Sequence, residues 1–223
     1  MRLLLLLLAA TLIGCESSST EADGDLSLAD PTEVPTQRTT RGEDNTAYRD
    51  IASDDDRIAT ALLAAPEVSR DGARVIGYNA AGELVTLREG SNEFVCLADD
   101  PNKDGFSAAC YHQSLEPFMA RGRELKAEGK SGKEIFDLRE QEVKAGSLKM
   151  GDTGSTLHVY YGPSTRYDAA AGEVADAQYR YVVYMPYATA ASTGLPESPV
   201  APNHPWIMDP GTHTAHIMIS PAN

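Results

Sequence analysis

The chain has 223 residues, of which 42% are hydrophobic and 23% are charged, and its formal net charge at pH 7 is −14. An acidic chain is repelled by nucleic-acid phosphates and by anionic lipid headgroups, so nucleic-acid binding is excluded as its function. The length and the apolar content suffice for one domain with its own hydrophobic core.

The first fifteen residues carry an export signal. Arg2 precedes the apolar run LLLLLLAATLI at residues 3–13, which is too short for a membrane-spanning helix of about 20 residues. The run ends in Leu-Ile-Gly-Cys at residues 12–15, which resembles the bacterial lipobox. The resemblance implies that residues 1–14 are a lipoprotein signal peptide, that Cys15 carries a diacylglycerol and that its freed amino group is acylated, for example with palmitate. Several acyl chains anchor stably because each buried CH₂ contributes about 0.8 kcal/mol.

The segment after the lipidated cysteine is predicted to be a tether. Residues 16–45 contain no aromatic side chain and are rich in Ser, Thr, Asp, Glu and Pro. Such a segment buries too little apolar surface to offset its ordering entropy, so the region 15–45 is expected to be a disordered stalk. Glu16 follows Cys15 where inner-membrane lipoproteins typically have aspartate. This favours the outer membrane, with the protein on its periplasmic or surface face.

Residues 46–223 are predicted to form a single globular α+β domain. Ser53 and Asp56 make a capping-box pattern before an apolar stripe that Pro66 ends, which predicts a first helix. Four strand-like runs then follow, separated by turns. The runs are ARVIGYN, ELVTLR, EFVCLAD and FSAACYH. They predict an N-terminal antiparallel meander.

The second half of the domain begins with two further helices. Ser114 can cap one, and Ser131 with Glu134 forms the capping box of the other. Strand-like runs come next, in STLHVYYG, QYRYVVYMPY and AHIMIS. The predicted fold is therefore an antiparallel sheet, made of the meander and the C-terminal strands, packed with about three helices and braced by one disulfide.

The predicted disulfide joins Cys96 and Cys110. An exported chain passes through an oxidising compartment, and these two cysteines remain once Cys15 is assigned to the lipid. Closing a loop of about 15 residues contributes on the order of 3 kcal/mol in the chain-entropy model. A free pair or a metal-binding pair is the alternative, although the spacing is not that of a Cys-x-x-Cys motif.

The chain closes with PGTHTAHIMISPAN, which holds two histidines three residues apart. His213, His216 and Asp209 are the candidate metal ligands. Side chains alternate along a strand, so two histidines three apart face opposite sides unless His213 lies in the turn after Gly211. The alternative is a closing strand in which His216 is a hydrogen-bonded structural residue.

The stretch DPNKDG matches the first half of a calcium-binding loop. Asp100, Asn102 and Asp104 occupy the first three ligand positions, and Gly105 follows them as the motif requires. The acidic residue at position twelve is missing, because Tyr111 stands there. The alternative is a turn rich in Asp and Asn, which is favoured for its backbone chemistry.

Tyrosines mark a candidate binding surface in the run YRYVVYM. In a strand, Tyr179 and Tyr181 share one face. Aromatic platforms bind sugars and peptides, and tyrosine is enriched at interfaces. The same pattern is also typical of a strand with one half-buried face, so core and edge packing is the alternative.

Two stretches are similar to an uncharacterised family of exported bacterial proteins with no assigned function. They are APEVSRDGARVIGYNAAGELVTLREGSNEFVCLADDPN at residues 65–102 and PWIMDPGTHTAHIMIS at residues 205–220. The resemblance implies an exported context and no activity. The family pattern has proline at the position of His213, which counts against a pairing of His213 with His216.

No catalytic signature in the sequence is complete, and no cofactor is predicted. The sequence favours a non-catalytic binding or structural module, held to the membrane through Cys15, with a protein or small-molecule ligand in the cell envelope. Whether the chain is an enzyme stays open. The alternative functions are a metal-dependent hydrolase that uses the C-terminal His and Asp residues, and a module stabilised by calcium.

Overall fold

The computed structural model describes residues 47–79 and 81–221. The predicted signal peptide 1–14, the predicted lipidation site Cys15 and the predicted stalk 16–45 lie outside these described residues. Within the described part of the chain, no helix is both long enough and apolar enough to cross a membrane.

The described residues form eleven strands and four α-helices. The strands are β1 (Arg49–Asp50), β2 (Arg74–Tyr78), β3 (Leu84–Arg88), β4 (Phe94–Leu97), β5 (Phe106–His112), β6 (Thr156–Gly162), β7 (Arg166–Asp168), β8 (Glu173–Val174), β9 (Gln178–Tyr184), β10 (Trp206–Met208) and β11 (His216–Ile219). The helices are α1 (Asp54–Leu62), α2 (Glu116–Ala127), α3 (Gly132–Lys144) and α4 (Ala190–Thr193). The predicted α+β class is confirmed, and α4 is a single turn that the sequence reading did not include.

An eight-stranded sheet runs in the order β10-β11-β9-β6-β5-β4-β2-β3, and a small second sheet has the order β1-β7-β8. Neighbouring strands are antiparallel except β2 and β4, which pair in parallel. The strand order differs from the predicted meander, because β4 pairs with β2 instead of β3. The strand β3 is thereby left at the sheet edge. Both central residues of β4, Val95 and Cys96, are buried, so this strand is covered on both faces of the sheet, as is typical of an interior strand.

The helix ends follow the chemistry of the sequence. Ser53 accepts a hydrogen bond from the backbone N–H of Asp56, and the Asp56 carboxylate accepts one from the backbone N–H of Ser53. Ser131 and Glu134 form the same reciprocal box at the start of α3. Both boxes satisfy backbone donors that the first turn of a helix leaves free. The predicted starts of these two helices are confirmed.

Two hydrophobic clusters pack against opposite faces of the large sheet. Val75 points to the face under α1, and its neighbour Ile76 points to the face under α2, as alternation along a strand requires. The α1 helix packs on β2, β3, β4 and β5. Beyond the C-terminal end of α1, the same face continues on β6 and β9, where Tyr160 is buried and His158, Tyr179 and Tyr181 are half-buried.

Cys96 and Cys110 are at disulfide distance. They lie opposite each other on the adjacent antiparallel strands β4 and β5, and their Sγ atoms are 2.06 Å apart. Both cysteines are fully buried beneath α1. The predicted pairing is confirmed, and it joins two strands in the middle of the sheet.

Candidate functional site

The C-terminal histidines are both buried, but they have different surroundings. His216 lies in β11, where its Nδ1 donates a hydrogen bond of 2.7 Å to the carbonyl oxygen of Thr214. His213 lies in the turn before β11, and its ring meets Phe118 and Phe136 edge-on. Among the described residues, neither ring nitrogen of His213 has a hydrogen-bond partner.

The third predicted metal ligand, Asp209, accepts a hydrogen bond of 3.2 Å from the hydroxyl of Thr214. Across residues 47–79 and 81–221, no three His, Cys, Asp or Glu side chains form a group that could hold a metal ion. The structure therefore does not bring His213, His216 and Asp209 together as a metal centre.

The predicted calcium loop is a turn closed by its own side chains. The Asp100 Oδ1 atom accepts a hydrogen bond of 3.1 Å from the backbone N–H of Asn102. The other carboxylate oxygen of Asp100 forms an ion pair of 3.4 Å with Lys103. Lys103 therefore pairs with the carboxylate that would be the first calcium ligand of the loop. The structure does not bring Asp100 and Asp104 together with a third acidic side chain.

The predicted tyrosines belong to a row of four aromatic rings on adjacent strands. The register of β6 with β9 places Tyr160 opposite Tyr179 and His158 opposite Tyr181. The rings of Tyr160 and Tyr179 stack with centroids 4.5 Å apart, and those of Tyr179 and Tyr181 are nearly parallel with centroids 6.1 Å apart. His158 meets Tyr181 edge-on at 5.5 Å. We call these four residues the tyrosine row.

Three members of the tyrosine row, His158, Tyr179 and Tyr181, form one wall of a cleft of about 390 Å³. The opposite wall is the end of α1 and the segment after it, residues 63–67, with Arg70. Arg70 donates hydrogen bonds to the carbonyl oxygens of Ala65, at 3.1 Å, and Leu63, at 3.3 Å. Its guanidinium also interacts with Tyr179, so it links the end of α1 to the row.

The buried members of the row are uncharged at neutral pH. Burial raises the pKa of Tyr160 and of Tyr179, so both phenols stay protonated. Burial lowers the pKa of His158, so its imidazole stays neutral. Glu67 and Arg70 supply the charged groups of the lining. The arrangement offers flat apolar surface with phenol and imidazole hydrogen-bonding groups, which suits ligand binding.

Tyr160 and Tyr179 also contribute to the packing of the hydrophobic core. Tyr160 is 5% exposed, and Tyr179 packs against the same cluster while remaining half-exposed to the cleft. His158 was missed as a lining residue, although its position two residues before Tyr160 puts it on the same strand face. Arg70 was missed as well, and nothing in its local sequence signals its approach to β9.

Comparisons with protein-family models, with curated proteins and with solved structures find no match to this chain.

Proposed function

We propose that this chain is a membrane-anchored lipoprotein of the cell envelope whose folded domain binds a ligand without catalysing a reaction. The observation that carries this proposal is the tyrosine row beside the cleft at the end of α1. The proposed ligand, a protein segment or a small molecule of the envelope, contacts Tyr179 and Tyr181.

The dimensions and composition of the cleft support binding. Its volume of about 390 Å³ lies within the range of ordinary ligand sites, about 300–1,000 Å³. Tyrosine supplies a large apolar contact and a hydrogen bond with little side-chain entropy to lose, and tyrosine with arginine dominates binding energy at many interfaces. Arg70, held by two carbonyl oxygens, is a preorganised donor at the edge of the row.

The predicted lipid anchor and stalk determine where the partner is found. A domain held by a flexible tether samples a limited volume next to the membrane, which raises its effective concentration for partners in the same compartment. The proposed partner is therefore another envelope component. A metal-dependent hydrolase would need His213, His216 and Asp209 to converge, and the described residues contain no such metal-binding group.

A photo-crosslinking amino acid in place of Tyr181 tests the proposal in cells. Tyr187 is the matched control, because it is an exposed tyrosine that does not line the cleft. We expect a discrete crosslinked product from position 181 and none from position 187. Combining the crosslinker with Arg70→Ala should weaken the product. Equal crosslinking at both positions, or none at position 181, would contradict the proposed binding surface.

A further inference from the structure

The two edges of the large sheet differ in how their outer backbone is covered. At one edge, the backbone N–H of Ile207 in β10 donates a hydrogen bond of 2.9 Å to the carbonyl oxygen of Pro196, so the preceding segment covers β10. At the other edge, β3 pairs with β2 and with no further strand of residues 47–79 and 81–221. An uncovered strand edge is a template for pairing with a strand of another chain.

Two residues of β3 present their backbone groups to this outer edge. The backbone N–H of Asn79 donates to the carbonyl oxygen of Glu83 at 2.9 Å, so these two residues are a hydrogen-bonded pair of the hairpin formed by β2 and β3. Hydrogen-bonded and non-hydrogen-bonded pairs alternate along an antiparallel ladder, and the register is regular from Leu84 to Thr86. The N–H and C=O groups of Leu84 and Thr86 therefore point away from β2.

This stretch of β3 has little that would block an added strand. Edge strands are commonly protected by lysine, by proline or by a bulge. The strand β3 contains neither lysine nor proline, and its bulge lies beyond the pair of Ile76 with Thr86. The charged side chain of β3, Arg88, donates a hydrogen bond of 3.1 Å back to the carbonyl oxygen of Ala73. The backbone from Leu84 to Thr86 is thus open to pairing.

A cleft of about 540 Å³ lies beside this edge, between α2 and the hairpin of β2 and β3. Tyr78 and Leu84 form its hairpin wall, and Ala120 and Ala127 lie on its helix wall. The two alanine side chains are short, and Leu84 is 42% exposed. A strand added to β3 places the side chain opposite Leu84 on the same face of the sheet, beside the cleft. The cleft therefore suits an apolar side chain of the added strand.

The charged side chains of the lining favour a basic residue at one position of that strand. The lining holds three carboxylates against two cationic groups, namely Glu83, Asp100 and Glu124 against Arg123 and Lys126. Arg123 is paired with Glu116 at 2.7 Å. Glu83 is exposed next to Leu84 and accepts a hydrogen bond of 3.0 Å from the neutral side chain of Asn79. Its negative charge is therefore available to a basic side chain of a partner.

We propose that the outer edge of β3 pairs with an extended segment of another protein, through backbone hydrogen bonds to Leu84 and Thr86. The segment has an apolar residue opposite Leu84, whose side chain enters the cleft, and a basic residue opposite Glu83. A second copy of this chain fits less well, because each copy has a formal net charge of −14 and like charges repel. This surface lies apart from the tyrosine row, which is on β6 and β9, and the proposal does not depend on it.

Titration of the purified full chain with a hexapeptide of alternating lysine and valine, acetylated and amidated at its ends, tests the site. Calorimetry measures the affinity, and amide hydrogen exchange locates the peptide. We expect saturable binding and slower exchange of the Leu84 and Thr86 amides when the peptide is bound. Replacing the lysines by glutamate should weaken binding strongly. Methylating the valine nitrogens should abolish it, because these N–H groups would face β3.

Two pairs of variants separate the backbone and the charge contributions. Thr86→Pro removes the outward N–H, which the fold does not need at an edge strand, so it should abolish binding while the melting temperature is nearly kept. Thr86→Val keeps this N–H and should bind the peptide like the wild type. Glu83→Gln should weaken binding about two- to fivefold, as expected for an exposed ion pair. Its matched control is Glu197→Gln, at an exposed carboxylate next to Pro196 on the opposite edge.

Absence of saturable binding to the wild type would overturn the proposal, as would equal affinities of Thr86→Pro and Thr86→Val. Slow exchange of the Leu84 and Thr86 amides without peptide would overturn it too, because the chain itself or a second copy would then cover the edge. Protection confined to the tyrosine row would assign the peptide to that surface instead. If Thr86→Pro does not fold, the methylated peptide decides, since binding as tight as that of the unmodified peptide would contradict backbone pairing.

Discussion

His213 is a fully buried imidazole, and its two nitrogens have no hydrogen-bond partner within residues 47–79 and 81–221. Burial is the main cause that lowers its pKa from the ordinary 6.5, and the positive charge of Arg139 adds to it. The folded protein therefore resists protonating a group that the unfolded chain protonates below about pH 6.5. The contribution of neutral His213 to the free energy of unfolding is therefore complete above about pH 6.5, and it decreases as the pH drops toward the lowered pKa. Each pH unit in that window costs about 1.4 kcal/mol.

The variant His213→Leu should remove this pH dependence, because it leaves an apolar side chain between Phe118 and Phe136. We expect the variant to be at least as stable as the wild type at pH 8, since an unsatisfied buried polar group is costly. At pH 5 it should be clearly more stable than the wild type. Urea unfolding at both pH values measures the difference. His204→Gln, at an exposed histidine, is the control. If the wild type were more stable than His213→Leu at pH 5, the expected destabilisation by the buried imidazole would be contradicted.

Asp56 is a buried carboxylate that performs two tasks in one position. It caps α1 through Ser53 and pairs with the guanidinium of Arg49, which is the main cause holding its pKa well below its usual range. We expect Asp56→Ala to lose about 1–3 kcal/mol at neutral pH, from the cap and the charged hydrogen bond together. The contribution is complete above the unfolded pKa of about 4 and is lost as the pH falls below it.

Urea unfolding of Asp56→Ala and Asp54→Ala tests this assignment. Asp54 begins the same helix but is an exposed partner of Arg57, so its removal should change stability by less than about 0.5 kcal/mol. Equal losses of stability in the two variants would show that the burial and capping role of Asp56 do not stabilise the protein.

Single residues also show where sequence reasoning stops. The alternation of β11 correctly placed His216 on a strand, and the capping box correctly identified Asp56. The sequence contained no sign that Phe118 and Phe136, from two different helices, enclose His213. That environment depends on how α2 and α3 pack over the turn before β11, which is a tertiary property.

The joining of β4 and β5 by a disulfide gives a prediction for these two elements. Replacing both Cys96 and Cys110 by alanine should destabilise the protein by about 3 kcal/mol, because the unfolded chain regains the freedom of a loop with a sequence separation of 14. The measurement is urea unfolding without reductant. The wild type treated with reductant under native conditions should react slowly, since both sulfurs are fully buried. If the double variant were as stable as the wild type, the disulfide would not stabilise the fold as expected.

The α3 helix is the least anchored of the three longer helices. None of its residues is fully buried, whereas α1 buries three residues and α2 buries two, Phe118 and Leu125. A contact that attaches it to α2 is the paired hydrogen bonding of Arg121 with Glu142, at 2.9–3.1 Å. We therefore expect its amides to exchange with deuterium faster than those of α1 and α2, through local opening.

Arg121→Ala should accelerate amide exchange in α3 further while leaving α1 unchanged. The effect on global stability should stay below about 1 kcal/mol, because both side chains are partly exposed. Hydrogen exchange with mass spectrometry measures both helices in one sample. Exchange in α3 as slow as that in α2 would contradict a weakly attached helix.

The strand order shows why the meander prediction was wrong. Alternating apolar and polar residues, bounded by turn residues, predict that strands exist. They do not determine which strands pair with one another. The run ELVTLR mixes charged and apolar residues and leaves β3 without a fully buried side chain. The run EFVCLAD has adjacent buried residues, Val95 and Cys96, which point to opposite faces and therefore need cover on both faces, as is typical of an interior strand. The difference between these two runs would have predicted β3 at the edge of the sheet and β4 in its interior.

At the scale of the whole molecule, the charge balance bears on the proposed tether. The proposed cleavage after residue 14 would remove one basic residue, Arg2, and leave a chain with 33 acidic and 18 basic residues and a formal charge of −15. Such a chain is repelled by anionic headgroups and does not adhere to the membrane by itself. The proposed membrane attachment would therefore depend on the acyl groups proposed for Cys15.

Palmitate labelling of cells tests this dependence directly. The wild-type chain should incorporate labelled palmitate and sediment with membranes, and its intact mass should match a chain that begins at Cys15 and carries lipid. Cys15→Ser should lose the label and keep residues 1–14, because the lipidated cysteine directs the cleavage in the lipobox scheme. The double replacement of Cys96 and Cys110 by alanine is the control, since it removes the other two cysteines and should keep the label. A labelled Cys15→Ser variant would place the acyl chains elsewhere, and the stalked arrangement with its envelope partner would then have to be abandoned.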